Sequence, residues 1–326
     1  MKNLLVLATV LLCGALSLVA RHDTAATDSS KVQDSPLGPR LGKHLFSPPA
    51  GVLLPFIRTY SQAMLGGGTT TGIILPEIQI GDRVVVAPVG DLAYMLMVAR
   101  HEQAIKSWMS FFVEGRVLGR LGTNVSSLLT QGVNASVGLN MGWSVKILED
   151  DRWAVATGLV LKTGTYTTID VRKWAEGLVR DSGVVTATNP LIDTRPSMKL
   201  NLNVRGAYTF NETFGLMGFV NGGYSEPLTR DGAYEAVFDG GLALSMNWDP
   251  VVDVTIGTSI GADYRQIPET ATQDQGATKN VYLRIGYTGT DAYGLGLQFN
   301  GQFAPIAGIE HQVTFVSALL DFRFYF

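Results

Sequence analysis

Residues Val313–Phe326 read V-T-F-V-S-A-L-L-D-F-R-F-Y-F, and the alternation within them decides how the rest of the chain is read. Counted back in twos from the terminus, Phe326, Phe324, Phe322, Leu320, Ala318 and Val316 fall on one face. Tyr325, Arg323, Asp321, Leu319 and Ser317 fall on the other. A period of two is a strand, because successive Cβ atoms leave the pleat on opposite sides. The face that holds the phenylalanines carries no polar side chain, whereas Asp321 and Arg323 share the mixed face. A soluble sheet turns its apolar face inward. A transmembrane barrel turns that face outward to lipid and leaves the polar face to the lumen.

Working back from this stretch, the same alternation recurs. Ala135–Leu148 sets Val137, Leu139, Met141, Trp143, Val145 and Ile147 against Ser136, Gly138, Asn140, Gly142, Ser144 and Lys146. Strands are expected at Asp91–Ala104, Trp108–Gly119, Ala135–Leu148, Trp153–Tyr166, Met198–Phe210, Thr213–Ser225, Tyr234–Asn247, Val251–Ile267, Asn280–Thr288, Ala292–Pro305 and Val313–Phe326. One more from Thr71–Val86, bent around Gly81-Asp82, makes about twelve, within a range of 10 to 14. In Thr213–Ser225 the register is ambiguous, since Met217 and Phe219 oppose Phe214 and Leu216. Short turns (Lys106, Glu149 to Arg152, Asn211-Glu212, Trp248 to Pro250, Gly289 to Asp291) alternate with longer excursions (Leu121 to Asn134, Thr167 to Pro196, Glu226 to Gly232, Pro268 to Thr278). Such alternation marks an up-and-down barrel with periplasmic turns and outer loops. Trp108, Trp143, Trp153, Phe210, Phe214, Trp248, Tyr287, Tyr293 and Phe326 gather at the short-turn ends, as an interfacial girdle does. Two of the long excursions carry helical patterns, Ile169–Asp181 and a shorter one from Thr123 to Gln131.

With its terminal Phe326 and aromatics at Phe324 and Phe322, the last strand resembles the C-terminal strand of Gram-negative outer-membrane β-barrel proteins. The resemblance implies an all-β, antiparallel up-and-down transmembrane barrel of the porin or transporter kind, with short helices in its long loops. It also implies that Phe322, Phe324 and Phe326 are read by the barrel-assembly machinery, and that outer-membrane lipid and lipopolysaccharide are the surroundings. Among such proteins the transporters of hydrophobic compounds carry an Asn-Pro-Ala plug motif. Here only Asn189-Pro190-Leu191 comes near it.

Composition agrees with a membrane barrel without selecting it: 46% of the 326 residues are hydrophobic, 16% are charged, and there are 37 glycines. After the first twenty residues there is no apolar run long enough for a membrane helix. Met1–Ala20 reads as a secretory signal peptide, with Lys2 before an apolar core. The only cysteine, Cys13, lies within it, so the mature chain has no thiol chemistry. Residues 21–44 read as a disordered periplasmic lead, residues 45–90 as first strand or lumen plug, and residues 91–326 as the barrel. A net charge of -3 gives no basic surplus for nucleic acid.

No catalytic, metal or cofactor constellation is legible. His44, His101 and His311 are scattered, and Glu310-His311 lies in an outer loop with Ser317 as its nearest following serine. Six residues of strand put that serine about 20 Å away. The candidate functional residues are the charges of the inward faces: Glu114, Arg116, Lys146, Lys162, Lys199, Arg205, Glu235, Asp239, Asp253, Asp263, Arg265, Arg284, Asp321 and Arg323. The middle strands are basic and the later ones largely acidic, an order that sets up a transverse field across a pore or pairs and closes it. Passage of a small solute through the lumen is the first expectation. A closed barrel acting through its outer loops, and a lipid-modifying enzyme sited at the rim, are the alternatives.

Overall fold

A computed structural model of the chain describes residues 38–74, 78–80, 83–86, 89–122, 133–169, 192–225, 235–267, 276–304 and 313–326. Twelve strands close into a single antiparallel barrel. They are β1 (Tyr60–Ile74), β2 (Val89–Lys106), β3 (Met109–Gly122), β4 (Val133–Glu149), β5 (Trp153–Ile169) and β6 (Ile192–Thr209), followed by β7 (Phe214–Ser225), β8 (Glu235–Asn247), β9 (Ile256–Ile267), β10 (Gly276–Tyr287), β11 (Tyr293–Ala304) and β12 (Val313–Tyr325). Each strand pairs with its sequence neighbours, and β12 closes on β1 through pairs running from Val316↔Thr69 to Tyr325↔Tyr60. Closure leaves no unpaired edge, which is the condition a sheet must meet to sit in hydrocarbon.

The period of two holds around the wall. On β12, Val316, Leu320, Phe322, Phe324 and Phe326 are exposed on the outside, while Phe315, Ser317, Leu319, Asp321, Arg323 and Tyr325 are buried inside. On β6, Leu200, Leu202 and Val204 face out against Asn201, Asn203 and Arg205. β7 follows the register that puts Phe214 and Leu216 outside, with Met217 and Phe219 in the interior. Around the short-turn end the outer rings touch one another: Trp153 with Tyr208 at 4.3 Å between centroids, Tyr208 with Phe210 at 4.9 Å, and Tyr287 stacked on Tyr293 at 5.5 Å. This band of aromatics lies where a membrane interface would be.

Two expectations need correction. The twelfth wall strand is Tyr60–Ile74, whereas Thr71–Val86 divides into the end of β1 and a separate hairpin of Ile78–Ile80 on Arg83–Val86. The triple glycine Gly66 to Gly68 therefore lies inside β1, at the closing seam. A Cβ on Gly66 would stand 2.5 Å from the Ala318 carbonyl oxygen, so the seam closes because those side chains are missing. The second correction concerns the start of β9. Trp248-Asp249-Pro250 begins one helical turn, α1 (Asp249–Val252), that ends at Asp253 in the left-handed region with φ 53°. The strand starts only at Ile256, so Asp253 lies exposed in a short turn and not in the lumen. Both helical patterns of the long excursions lie outside the described residues, as do Glu310 and His311.

Candidate functional site

The lumen contains the chain's own N-terminal segment. Arg40–Leu41 pairs with His44–Leu45 as a small hairpin against the short turns, so the end of the expected disordered lead is folded. Arg40 meets Asp291 at 2.7 Å, Lys43 meets Glu212 at 2.7 Å, and His44 Nδ1 lies 3.0 Å from the Glu212 carbonyl oxygen. Beyond His44 the segment enters the barrel. Gly51 reaches Arg265 and Asp263, where an added Cβ would lie 2.9 Å from the Arg265 guanidinium. The chain then returns to the same end, where Arg58 pairs with Glu149 and the Thr59 hydroxyl accepts the Ala104 N–H at 3.1 Å. Residues 46–58 thus form a plug that enters and leaves at the short-turn mouth.

Plug and wall fit through both apolar and polar contacts. Leu41, Phe46, Val52, Leu54 and Phe56 make one buried cluster with Ala154, Ala207, Met217, Phe219, Ala243 and Tyr282 of the wall. This explains why β7 turns Met217 and Phe219 inward: their apolar surface is covered by the plug. Gly215 and Gly257 supply close approach, since a Cβ at Gly215 would meet Phe46 at 2.5 Å and one at Gly257 would meet the Ser47 Cβ at 2.8 Å.

The polar contacts come largely from wall arginines that donate to plug oxygens. Arg205 Nη1 donates to the Leu54 carbonyl at 2.9 Å and Arg323 Nη2 to the Pro48 carbonyl at 3.3 Å, while Arg284 donates to the Ser47 hydroxyl. Neutral partners complete the set, with the Ala50 N–H on Gln298 Oε1 at 2.7 Å and the Ser47 N–H on the Ser245 hydroxyl at 3.1 Å. Beside the plug, a cavity of about 40 Å³ lined by Ala50, Leu54, Tyr60, Gln62, Arg100 and Glu114 has room for about three waters.

The lumen charges pair in three groups, which take in most but not all of the expected residues and add Arg100 and Glu102. At the seam, Asp321 lies between Arg284 at 3.0 Å and Arg323 at 3.3 Å. Lower on β2 and β3, Arg100 meets Glu102 at 2.7 Å and Glu114 at 3.5 Å, and Glu102 also accepts the Ser110 hydroxyl at 2.6 Å. Above the plug, Lys199 and Lys162 lie 3.2 and 3.9 Å from Asp239, and Arg265 lies 2.9 Å from Asp263. The basic and acidic strands are close enough to pair, so no simple two-sided field survives. Lys146 is drawn to Glu149 at 3.0 Å beside Arg58, and Glu235 stands at the outer end of β8.

Sequence reading missed Arg100 and Glu102. The inward face of β2 begins with Leu92 and Val98, so no polar stripe announces them. It also missed a pair on the outer face near the short-turn rim, where Ser61 Oγ lies 2.9 Å from His101 Nδ1 across β1 and β2. No carboxylate among the described residues orients that histidine, and the strand N–H groups around it are engaged in the ladder. The pair satisfies two polar groups that face lipid, without the third group that nucleophilic catalysis uses.

No protein-family model matches the chain, and no curated protein matches it in sequence. Solved structures do share its fold. The COG4313 outer membrane channel from Pseudomonas putida F1 superposes with a TM-score of 0.55 at 14% identity, covering 86% of this chain and 99% of the channel. The NanC porin and a Pseudomonas aeruginosa FadL homologue each reach 0.46, at 7% and 10% identity. They cover 81% and 82% of this chain, and 100% and 90% of their own. The fold is the closed antiparallel β-barrel of the COG4313 outer membrane channel.

Proposed function

We propose that this protein resides in the bacterial outer membrane, exported by an N-terminal signal, and that it passes a small solute through its lumen once residues 46–58 withdraw toward the periplasm. The observation that carries the reading is the way the plug is held. It enters and leaves at one mouth, and no covalent bond fastens it. Its polar contacts inside the barrel are individual hydrogen bonds: Arg205, Arg284 and Arg323 donate to it, its Ala50 and Ser47 N–H groups donate to Gln298 and Ser245, and among the described residues only Arg58 at the mouth makes an ion pair, with Glu149. Neutral and charge-assisted bonds of this kind contribute about 0.5–3 kcal/mol each, enough to keep a closed state and few enough to be exchanged for another ligand. A wall that needed filling only for strength would do so with its own side chains, as eight-stranded barrels do.

The test is conductance in a planar bilayer, comparing the full mature chain with one lacking residues 38–58. The full chain is expected to be closed for most of the record and the shortened chain to give discrete steps. Silence from a shortened chain that still shows heat-modifiable gel mobility would favour a closed barrel acting through its outer loops.

A further inference from the structure

Directly above the plug tip, Arg116 on β3, Lys162 on β5, Lys199 on β6 and Arg265 on β9 form a cationic layer. β3 and β9 stand opposite each other in the barrel of twelve, so Arg116 and Arg265 face each other from opposite walls. Arg116 lies within the electrostatic reach of both Arg265 and the carboxylate of Glu114, and it makes no salt bridge or hydrogen bond among the described residues. Lys162 and Lys199 are register partners on adjacent strands, both inward, and they share the carboxylate of Asp239. Placing like charges on neighbouring positions is unfavourable unless something negative offsets it.

The carboxylates in the layer do not fully supply that charge. Glu114 is engaged by Arg100 at 3.5 Å and by Asn140 at 2.7 Å. Asp263 is engaged by Arg265 and by the Asn280 amide at 2.7 Å. Depth separates the two signs as well. The side chains of Asp239 and Asp263 are 7% and 3% exposed, whereas those of Lys162 and Arg265 are each 37% exposed. The two acids lie back against the wall, Lys199 is intermediate at 18%, and Lys162 and Arg265 project furthest into the lumen.

We infer that this layer is a binding site for a small, multiply charged anion, a polycarboxylate or a phosphate ester, held between Arg116 and Arg265 with Lys162 and Lys199 alongside. Guanidinium groups from opposite walls suit bidentate recognition of carboxylate or phosphate. Gly51 of the plug touches Arg265, so the site lies where a solute arriving from outside first meets the closed gate. The inference deepens the channel reading and rests on it for its biological use, but binding itself is measurable on the closed barrel.

The experiment is calorimetric titration of the refolded mature barrel in neutral detergent with citrate, and with glucose and spermidine as neutral and cationic controls. Citrate is expected to bind saturably and to weaken with added salt, while neither control binds. Arg116→Gln and Arg265→Gln are each expected to weaken citrate at least tenfold, and Arg116→Lys to restore part of the loss. Absence of citrate binding to the unmodified barrel overturns the inference, as does binding that both glutamine variants leave unchanged. Saturation by chloride with no preference for citrate also overturns it. If citrate fails to bind while the plug-deleted barrel conducts, the site falls and the channel stands. If citrate binds to a barrel that stays silent after plug deletion, the site stands and the channel falls.

Discussion

At the scale of single residues, the plug is held by groups whose removal has calculable consequences. Arg205 is 2% exposed and divides its donors among the Leu54 carbonyl, Asn203 and Ser144. Arg205→Met removes one charge-assisted bond to the plug. We expect this to cost about 1.5–3 kcal/mol of docking, a shift on the order of 10- to 100-fold toward the open state, read as channel open time. His44 makes docking sensitive to pH. Burial lowers its imidazole from the ordinary 6.5 to about 4, against a smaller opposing effect of its contact with the Glu212 carbonyl oxygen. Its Nε2 is buried without a partner among the described residues, and the neighbouring Lys43 and Glu212 are already paired with each other. The released segment would titrate at the ordinary value, so between about 6.5 and about 4 it binds more protons than the docked one. Docking is therefore strongest above pH 6.5 and weakens as pH falls toward 4, so conductance should rise over that window in the unmodified barrel and not in His44→Gln. Little of this is legible in the sequence. Asp253 reads as a lumen residue if the strand is run back to Val251, and only the helical turn begun by Asp249-Pro250 removes it.

At the scale of elements, the strands are readable from the sequence and the plug is not. β4, β6 and β12 alternate cleanly because one face meets lipid and the other meets water or charge. β7 does not, because its inward Met217 and Phe219 meet the apolar side chains of the plug, and a two-sided apolar strand carries no face signal. The segment 38–59 has no period because it is neither strand nor helix over most of its length, and its partners are spread around the whole wall. Gly215 offers a test at this scale. Its missing Cβ faces Phe46 of the plug and His44 of the hairpin that leads into it, so Gly215→Val should push the plug out and leave the wall intact. The expected result is frequent channel opening with unchanged heat-modifiable gel mobility; opening no more frequent than in the parent chain would contradict the packing.

At the scale of the whole molecule, short turns alternating with long excursions, and a girdle of aromatics at one end, identify a membrane barrel of the right strand number. What they leave open is whether the lumen is empty, since an apolar outside and a polar inside are common to open and filled barrels. Leu202, 66% exposed on the outer face of β6, distinguishes a lipid-facing wall from a soluble one. Leu202→Arg should lower folding stability in lipid vesicles by about 2–4 kcal/mol near the bilayer midplane, where an exposed site in water would lose almost nothing.

The central claim is that the lumen is a route closed by the plug, and one measurement addresses it most directly. Cys13 is the only cysteine of the sequence and lies in the expected signal peptide, and the Ser47 Cβ lies 2.8 Å from where a Cβ on Gly257 would be, so a shift of about 1 Å apart brings the pair to the separation of a disulfide. Single-channel recording of the Ser47→Cys, Gly257→Cys barrel is predicted to be silent when oxidised and to show discrete, reversible steps after reduction. Identical records in the two redox states, whether silent or conducting, would contradict the account.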